Sequence, residues 1–390
     1  MRQHWTLDPG VVFLNHGAFG ACPAPVLEAQ ARIKAQLERE PVHFFERLYK
    51  PLLDDARAKV AAFVGAAPED LAFVNNTTTG VSAVLRSLDL SRGDALLMTD
   101  HTYNACKNAV TYVASRTGAE VVLAKVPLPV SSPEEFTDHV LRAVTPRVRL
   151  ALIDHVTSPT GLVLPIESIV RSLGERGIET LVDGAHAPGM IDLNVASLGA
   201  AYYVGNFHKW CCSPKGAAFV HVRKDRKEGL HPVVISHGLT STRPKGRFQD
   251  EFDWTGSDDP SAWLAVPDAL AFMGGLLPGG WPALRKRNRE LALAARSLIS
   301  SALGAPPLAP ESMIGSLAAM PLPDAAADAV MDPVQEPLHR ALYDRHRIQV
   351  PVFVWPEPPK RLIRVAAQAY NELSEYEKLA SALREELRAR

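Results

Sequence analysis

Short apolar runs alternate with helical segments through the first half of the sequence, and this alternation restricts the possible folds more than any other feature. The apolar runs predict strands at residues 71–74, 95–100, 121–124, 150–155, 180–183 and 201–205. Helical segments accompany them at residues 81–88, 104–118 and 166–177. Alternation of this kind favours a mainly parallel β-sheet covered on both faces. In such sheets, ligands bind beyond the carboxyl ends of the strands.

The chain as a whole predicts a division into three parts. A length of 390 residues is long for one hydrophobic core, which favours a large domain and a smaller one. We expect an N-terminal arm at residues 1–25, a large domain at 26–278 and a C-terminal domain at 279–390. The stretch "GGLLPGG" (Gly274–Gly280) is the expected hinge, because glycine and proline interrupt regular structure.

Charge and cysteine content narrow the class of protein. The 42 Lys and Arg residues nearly balance the 43 Asp and Glu residues, so no basic excess suggests a nucleic-acid partner or a membrane-surface partner. The N-terminal residues lack the apolar centre of a signal peptide. Neither a metal-type spacing nor a disulfide framework is visible among Cys22, Cys106, Cys211 and Cys212. We therefore expect a reduced, cytoplasmic protein without a metal site.

Three polar features follow predicted strands on the ligand-binding side of the sheet. The stretch "NNTTTG" (Asn75–Gly80) could bind an anion through backbone N–H groups and hydroxyls, or it could simply cap a helix. Asp183 ends an apolar strand, where it could cap the next helix or pair with a cationic ring nitrogen. Lys209 follows the next strand. A lysine, a carboxylate and an anion site are together what pyridoxal phosphate (PLP) requires.

Six motifs carry a resemblance to a known family. The stretches "SPTG" (Ser158–Gly161), "VDGAHA" (Val182–Ala187) and "NFHKW" (Asn206–Trp210) resemble those of class V aminotransferases of PLP fold type I. Three further stretches resemble the isopenicillin N epimerase and cysteine C–S lyase branch: "FLNHGAFG" (Phe13–Gly20), "WTGSDDP" (Trp254–Pro260) and "RLIRVAAQAYN" (Arg361–Asn371). The six occur in family order and span nearly the whole chain.

This resemblance implies an architecture and a cofactor. The expected fold is α/β, with a large domain on a mainly parallel seven-stranded sheet and a smaller α+β C-terminal domain. Lys209 would form the Schiff base with PLP and move the proton at the substrate Cα, while Asp183 would keep the pyridine nitrogen protonated. A homodimer with composite active sites is implied, in which Thr255 and Gly256 reach the phosphate of the neighbouring subunit.

The phosphate of the cofactor has several implied contacts within the subunit. By resemblance, Thr77, Thr78 and His208 would bind it, with Asn206 as a weaker candidate. Related sequences often read NATTG where this chain has "NTTTG" (Asn76–Gly80). The additional hydroxyl of Thr77 is compatible with phosphate binding.

Further residues are implied around the cofactor ring and the substrate. Tyr103 best matches the position that stacks on the ring, although His101 is an alternative. Either His186 or Ser158 would contact the phenolic oxygen of the cofactor. The implied substrate-binding residues, which would hold the α-carboxylate, are Arg364 and, from the N-terminal arm, Asn15.

Two further sets of residues are interpreted as structural. Arg243, Lys245 and Arg247 are expected on a solvated loop, with a role near the mouth of the active site as the alternative. Trp210 is expected to pack beside Lys209.

The reaction remains open after loss of the α-proton. We expect a β-eliminating C–S lyase that acts on an S-substituted cysteine. The alternatives are an amino-acid epimerase, an aminotransferase, and a decarboxylating or oxidatively deaminating enzyme acting on a cysteine conjugate. A cysteine desulfurase is disfavoured, because no cysteine follows Cys212 to carry a persulfide. From a different class, the chain could be a PLP-fold binding module without catalysis, but the presence of Lys209, Asp183 and Arg364 argues against it.

Overall fold

Apolar runs form the central strands of the computed structural model, which describes residues 1–242, 246–325 and 336–388. The strands of this part of the chain are β1 (Val12–Phe13), β2 (Leu71–Val74), β3 (Ala95–Thr99), β4 (Glu120–Ala124), β5 (Val148–Asp154), β6 (Glu179–Gly184), β7 (Tyr202–Asn206), β8 (Ala218–Val222), β9 (Leu317–Leu322), β10 (Ile348–Gln349), β11 (Val352–Val354) and β12 (Arg361–Ala366). Every residue of β2, β3, β7 and β8 is buried, as expected for strands that are covered on both faces.

The helices surround these strands. They are α1 (His16–Phe19), α2 (Ala24–Arg39), α3 (Pro41–His43), α4 (Tyr49–Val64), α5 (Thr77–Arg86), α6 (Asn104–Thr117), α7 (Pro133–Arg142), α8 (Ile166–Gly174), α9 (Arg247–Asp253), α10 (Ser261–Leu264), α11 (Val266–Gly274), α12 (Gly280–Leu303), α13 (Pro337–Asp344) and α14 (Leu373–Arg388). None of the described helices is long and apolar enough to cross a membrane.

A seven-stranded sheet organises the first two thirds of the molecule. Its strand order is β2-β8-β7-β6-β5-β3-β4, and β8 alone runs antiparallel to its two neighbours. The prediction of a mainly parallel, seven-stranded α/β sheet is therefore confirmed. Because β5, β6 and β7 are parallel neighbours, their carboxyl ends bring Asp154, Asp183 and Asn206 to one edge.

A second, three-stranded sheet lies in the C-terminal part. Its order is β11-β12-β9, with both pairs antiparallel. The N-terminal arm joins this region, since β1 pairs with β10 in parallel and Arg2 forms an ion pair with Glu375 over 2.9 Å. The arm therefore connects the two ends of the chain, and it brings α1 close to the edge of the large sheet.

Some local predictions need correction. Helix α5 begins at Thr77, four residues earlier than predicted, because the Asn76 side chain accepts a hydrogen bond from the Thr79 N–H over 2.8 Å and caps the helix there. Arg247 is the first residue of α9 rather than part of a solvated loop, and its Nε lies 2.9 Å from Glu251 Oε1. The neighbouring Arg243 and Lys245 lie outside the described residues.

Candidate active site

A cavity of about 360 Å³ lies at the carboxyl edge of the large sheet. Its wall brings together most of the site residues expected from the sequence: Thr77, Thr78, Tyr103, Ser158, Asp183, His186, Asn206, His208 and Lys209. These residues come from the carboxyl ends of β6 and β7 and from the loops and helix ends that follow β2, β3, β5, β6 and β7. The strand order, rather than closeness in sequence, therefore assembles the site.

Lys209 provides the amine of the cavity. It is partly buried in the loop between β7 and β8. Burial lowers the pKa of the Lys209 amine to about 8, although the Asp183 carboxylate acts in the opposite direction. The Arg364 cation lowers the pKa further. With this pKa, roughly a tenth of the amine is unprotonated at pH 7, far more than for an ordinary lysine. The unprotonated amine is the form that acts as a nucleophile or a base.

Hydrogen bonds define which ring nitrogen of His186, the neighbour of this amine, carries the proton. Trp210 Nε1 donates to His186 Nδ1 over 3.2 Å, and an indole N–H can only donate. The neutral imidazole then carries its proton on Nε2, which lies 3.2 Å from Lys209 Nζ. Burial, followed by the Lys209 and Arg364 cations, lowers the pKa of His186 well below its ordinary value. The imidazole N–H can therefore donate a hydrogen bond only to the unprotonated form of the Lys209 amine.

Asp183 lies one residue before the end of β6 and is 3% exposed. Cys106 Sγ donates to its Oδ2 over 3.2 Å, and the Ala185 N–H donates to its Oδ1 over 3.0 Å. Burial raises the pKa of Asp183, while these donors and Lys209 oppose the shift. Within the described chain no α-helix begins between β6 and β7, so Asp183 is not a helix cap. Its carboxylate is instead held by donors and faces the cavity.

The N-terminus of α5 forms another part of the wall. Asn206 Oδ1 accepts a hydrogen bond from the Thr77 N–H over 2.9 Å, so Asn206 fixes the start of the helix. Thr77 Oγ1 is buried and has no hydrogen-bond partner among the described residues. Asn76 caps the helix, yet an unpaired hydroxyl remains at the helix end, where the backbone dipole favours an anion.

His208 borders the same part of the cavity. Its Nδ1 lies 3.0 Å from the Ala217 carbonyl oxygen, so Nδ1 carries the ring proton. Burial is the main reason that its pKa is lowered to about 4. The neutral ring has no proton on Nε2, and a nearby anion would favour the protonated ring that can donate from that atom.

Tyr103, rather than His101, lies in the cavity wall. Tyr103 is 46% exposed at the N-cap position of α6. His101 is buried, with Nδ1 2.8 Å from Thr160 Oγ1 and Nε2 2.7 Å from the Val126 carbonyl oxygen. The His101 ring packs against Trp355 at 4.6 Å between ring centroids. Both ring nitrogens of His101 thus already have hydrogen-bond partners inside the core.

Arg364 lies behind the cavity wall, on β12. Its Nη1 donates to the Ser158 carbonyl oxygen and lies 3.4 Å from Ser158 Oγ, while the guanidinium lies 4.9 Å from the Phe353 ring centroid. Burial lowers the pKa of Arg364 to about 10, so the group remains charged at neutral pH. Asn15 is the N-cap of α1 and has a buried Oδ1 without a hydrogen-bond partner in the described chain. Arg364 therefore contacts Ser158 of the cavity wall, but neither Arg364 nor Asn15 lines the cavity itself.

Thr255 and Gly256 do not join this cavity. They line a separate, small cavity next to Trp254, after α9. A larger cavity of about 830 Å³ is lined by residues of α4 and α9, including Lys50 and Asp250, and contains none of the predicted site residues. Size alone would thus select a different cavity from the one in which the predicted site residues meet.

The N-terminal arm fixes the backbone around Lys209. His16 Nε2 lies 2.9 Å from the Lys209 carbonyl oxygen, and His16 Nδ1 lies 2.7 Å from the Tyr370 hydroxyl. Gly20 has a φ of +71°, and a Cβ at this position would lie 2.1 Å from the His208 carbonyl oxygen. The arm therefore approaches the lysine loop so closely that only glycine fits.

Several residues of the wall were not singled out from the sequence. They are Ala18, Phe19, Asp154 and Lys215, together with Cys106 behind Asp183. Asp154 could have been identified from the sequence, since it ends its apolar run as Asp183 does. The hydrogen bond from Trp210 to His186 could not have been predicted from the sequence, because it depends on how two loops meet.

Comparisons with known proteins identify the family to which the chain is similar. The family model of class V aminotransferases matches residues 12–303. The chain is 36% identical to isopenicillin N epimerase of Amycolatopsis lactamdurans, covering 98% of this chain and 97% of the relative. It is 32% identical to the putative L-cysteine desulfhydrase 2 of Oryza sativa subsp. japonica, covering 96% of this chain and 84% of the relative.

A solved structure of the cystine C–S lyase C-DES, in complex with its reaction product cysteine persulfide, has the same fold. The TM-score is 0.79 at 20% identity, covering 96% of this chain and 98% of that one. At this identity the likeness concerns the fold alone. The matches to the family model and to full-length relatives show that the chain belongs to the class V aminotransferase family, whose cofactor is pyridoxal phosphate.

Proposed function

We propose that this protein is a PLP-dependent lyase that cleaves the Cβ–S bond of an S-substituted cysteine. The observation that carries the proposal is the contact between Lys209 Nζ and the neutral imidazole of His186, because the imidazole N–H favours the unprotonated amine, the form that acts as a base. Similarity to L-cysteine desulfhydrases supports sulfur-containing amino acids as the substrate class.

The residues of the cavity fit the chemical groups of PLP. Lys209 matches the aldehyde, Asp183 matches the pyridine nitrogen, and the unpaired Thr77 hydroxyl at the start of α5 matches the phosphate. The volume of about 360 Å³ lies within the usual range of small-molecule sites. In this proposal Tyr103 covers the ring and His186 or Ser158 contacts its phenolic oxygen, since all three residues line the cavity.

Each side chain around the substrate has a separate role in the proposed reaction. When bound, PLP supplies an electron sink that makes the α-proton of an amino acid removable. Lys209 takes this proton at Cα, and the imidazole of His186 holds the amine in place. Arg364 binds the α-carboxylate through its guanidinium fork, with help from Asn15. The thiolate then leaves Cβ, and water converts the remaining three-carbon fragment to pyruvate and ammonia.

Elimination requires fewer residues of the site than inversion does. Loss of a β-substituent requires one base at Cα, whereas inversion at Cα also requires an acid on the opposite face. The unprotonated amine of Lys209, which His186 holds, is the proposed base.

An amino-acid epimerase is the second candidate. It is favoured by the 36% identity to isopenicillin N epimerase over nearly both chains. In that case the Tyr103 hydroxyl, which also lies in the cavity wall, would supply the proton on the opposite face.

An NMR time course in D2O tests the proposal. The PLP-loaded protein is incubated with an S-alkyl-L-cysteine, with Lys209→Ala as the control for background elimination. We expect pyruvate and free thiol to appear together with wild-type protein and to be absent with the variant. Deuterium at Cα of an intact amino acid, with both enantiomers accumulating, would instead identify an epimerase.

We further propose a cytoplasmic homodimer with composite active sites. Thr255 and Gly256 lie away from the Lys209 cavity of their own chain, which is compatible with a role in the site of a second subunit. The three-part division at residues 25 and 278 is also a proposal. It is supported by the separate sheets and by the gap between α11 and α12.

A further inference from the structure

A second carboxyl group lies beside Asp183 in the cavity wall. Asp154 is the last residue of β5, lines the cavity and is 2% exposed. It is paired in register with Asp183 on the neighbouring parallel strand β6. Side chains at paired positions of neighbouring strands leave the sheet on the same face and lie about 5 Å apart. The two carboxyl groups are therefore neighbours, and both are almost completely buried.

The two carboxyl groups differ in their hydrogen-bond donors. Asp183 accepts from Cys106 Sγ and from the Ala185 N–H, and the Lys209 cation also favours its charged form. Asp154 Oδ2 is buried and has no hydrogen-bond partner within the described part of the chain. An ionised carboxylate with an unpaired, buried oxygen is costly, whereas a protonated carboxyl carries an O–H on that oxygen. The negative charge of the pair is thus better placed on Asp183.

The groups around Asp154 lead to the same assignment. Burial and the Asp183 carboxylate are the two largest effects, and they raise the pKa of Asp154 well above its ordinary value. The opposing effects come from the Thr102 hydroxyl, the Tyr103 N–H and the Lys107 cation on α6. Lys107 is partly satisfied elsewhere, since its Nζ donates to the Asp100 carbonyl oxygen over 2.6 Å. Among the described residues no cation forms an ion pair with Asp154, so an ionised Asp154 would have no direct counter-charge there.

We propose that Asp154 is a positioning residue for Asp183: it stays a neutral carboxylic acid and directs its O–H toward the Asp183 carboxylate, so that the pair holds one negative charge. This inference rests on the proposed role of Asp183 opposite the pyridine nitrogen of the cofactor. A neutral donor stabilises the charge of Asp183, whereas a second carboxylate would repel it. Asp154 thereby acts on the cofactor through Asp183 and takes no direct part in proton transfer.

Infrared spectroscopy and cofactor titration of three variants test this inference. The PLP-loaded wild type is compared with Asp154→Asn, which keeps a neutral donor, and with Asp154→Leu, which keeps a similar size without one. Asp183→Asn is the control for the role of Asp183. The readouts are the carbonyl band of a protonated carboxyl group, the PLP dissociation constant and the pH dependence of cofactor absorbance.

We expect the protonated-carboxyl band to be present in the wild type and lost in Asp154→Asn. This variant should retain wild-type PLP affinity within about twofold, whereas Asp154→Leu should bind PLP about tenfold more weakly and change the pH dependence of absorbance. The conservative variant thus rescues the effect, which a purely structural role of the position would not predict.

Two results would overturn the inference. If no protonated-carboxyl band distinguishes the wild type from Asp154→Asn, Asp154 is ionised, and this comparison remains valid even where Asp154→Leu fails to fold. Equal PLP affinity of the wild type and a folded Asp154→Leu would remove the positioning role. An unchanged cofactor spectrum in Asp183→Asn would instead overturn the proposed role of Asp183 itself. Failure of that role can thus be told apart from failure of the inference about Asp154.

Discussion

At the residue scale, the chemistry of the site depends on an amine that loses its proton near neutral pH. Burial lowers the pKa of Lys209 to about 8, and His186 Nε2 lies 3.2 Å from its Nζ. The rate at which PLP combines with the PLP-free protein should therefore rise with pH and reach half its maximum near pH 8, because only the unprotonated amine reacts. Stopped-flow absorbance measures this rate. A midpoint close to the ordinary lysine value of about 10.4 would contradict the assignment.

Arg364 provides a second test at this scale. The variant Arg364→Lys keeps the charge but loses the planar fork that binds a carboxylate through two hydrogen bonds. We expect KM for an S-alkyl-L-cysteine to rise at least about tenfold, with a smaller change in kcat. The matched control is Arg361→Lys, since Arg361 lies on the same strand and is buried in an ion pair with Glu336. An equal rise in KM for both variants would argue against a specific role of Arg364.

At the scale of elements, the N-terminal arm and the lysine loop are fitted to each other at Gly20. Both Gly20 and Gly177 have a φ of +71°, but a Cβ at Gly177 would meet nothing within 4 Å. Substitution by alanine costs about 1 kcal/mol at either position through the left-handed backbone. Gly20→Ala should lose about 1–3 kcal/mol more in urea unfolding, because its Cβ would collide with the His208 carbonyl. Similar losses in both variants would show that the arm is not tightly packed there.

The large sheet was predictable from the sequence for a physical reason. Strands buried on both faces, such as β5 and β6, appear as continuous apolar runs, and the helices between them favour parallel pairing. Strand β8 was missed, although four of its five residues are apolar. Its antiparallel direction could not be predicted either, because an apolar run does not reveal which neighbour it pairs with. The early start of α5 depended on the Asn76 cap, which local sequence could indicate only as one of two alternatives.

The candidate site was predictable to a similar extent. Lys209 and Asp183 follow neighbouring strands, so a parallel sheet necessarily brings them to one edge. The partnership of Asp154 with Asp183 depends on strand register, which apolar patterning does not determine. The contacts of His186 and Trp210 depend on loop conformation, for which the sequence contains no periodic signal.

At the scale of the whole molecule, the composite site predicts complementation between subunits. Lys209→Ala removes the base, and Thr255→Glu should prevent phosphate binding in the partner's site through charge repulsion. Each variant alone should be inactive, while a mixture refolded together should recover up to about a quarter of wild-type activity, because half of the dimers contain one intact site. Activity assays on the mixture and on each variant test this, and no recovery would contradict a shared site.

The most direct test of the central claim is to locate the cofactor on the chain. The PLP-loaded protein is reduced with borohydride, which fixes the cofactor covalently on the lysine that holds it, and the peptides are analysed by mass spectrometry. The structure predicts the label on Lys209, which shares the cavity with Asp183 and the start of α5. A label on Lys215, the other lysine that lines this cavity, or a label spread over surface lysines, would contradict the account.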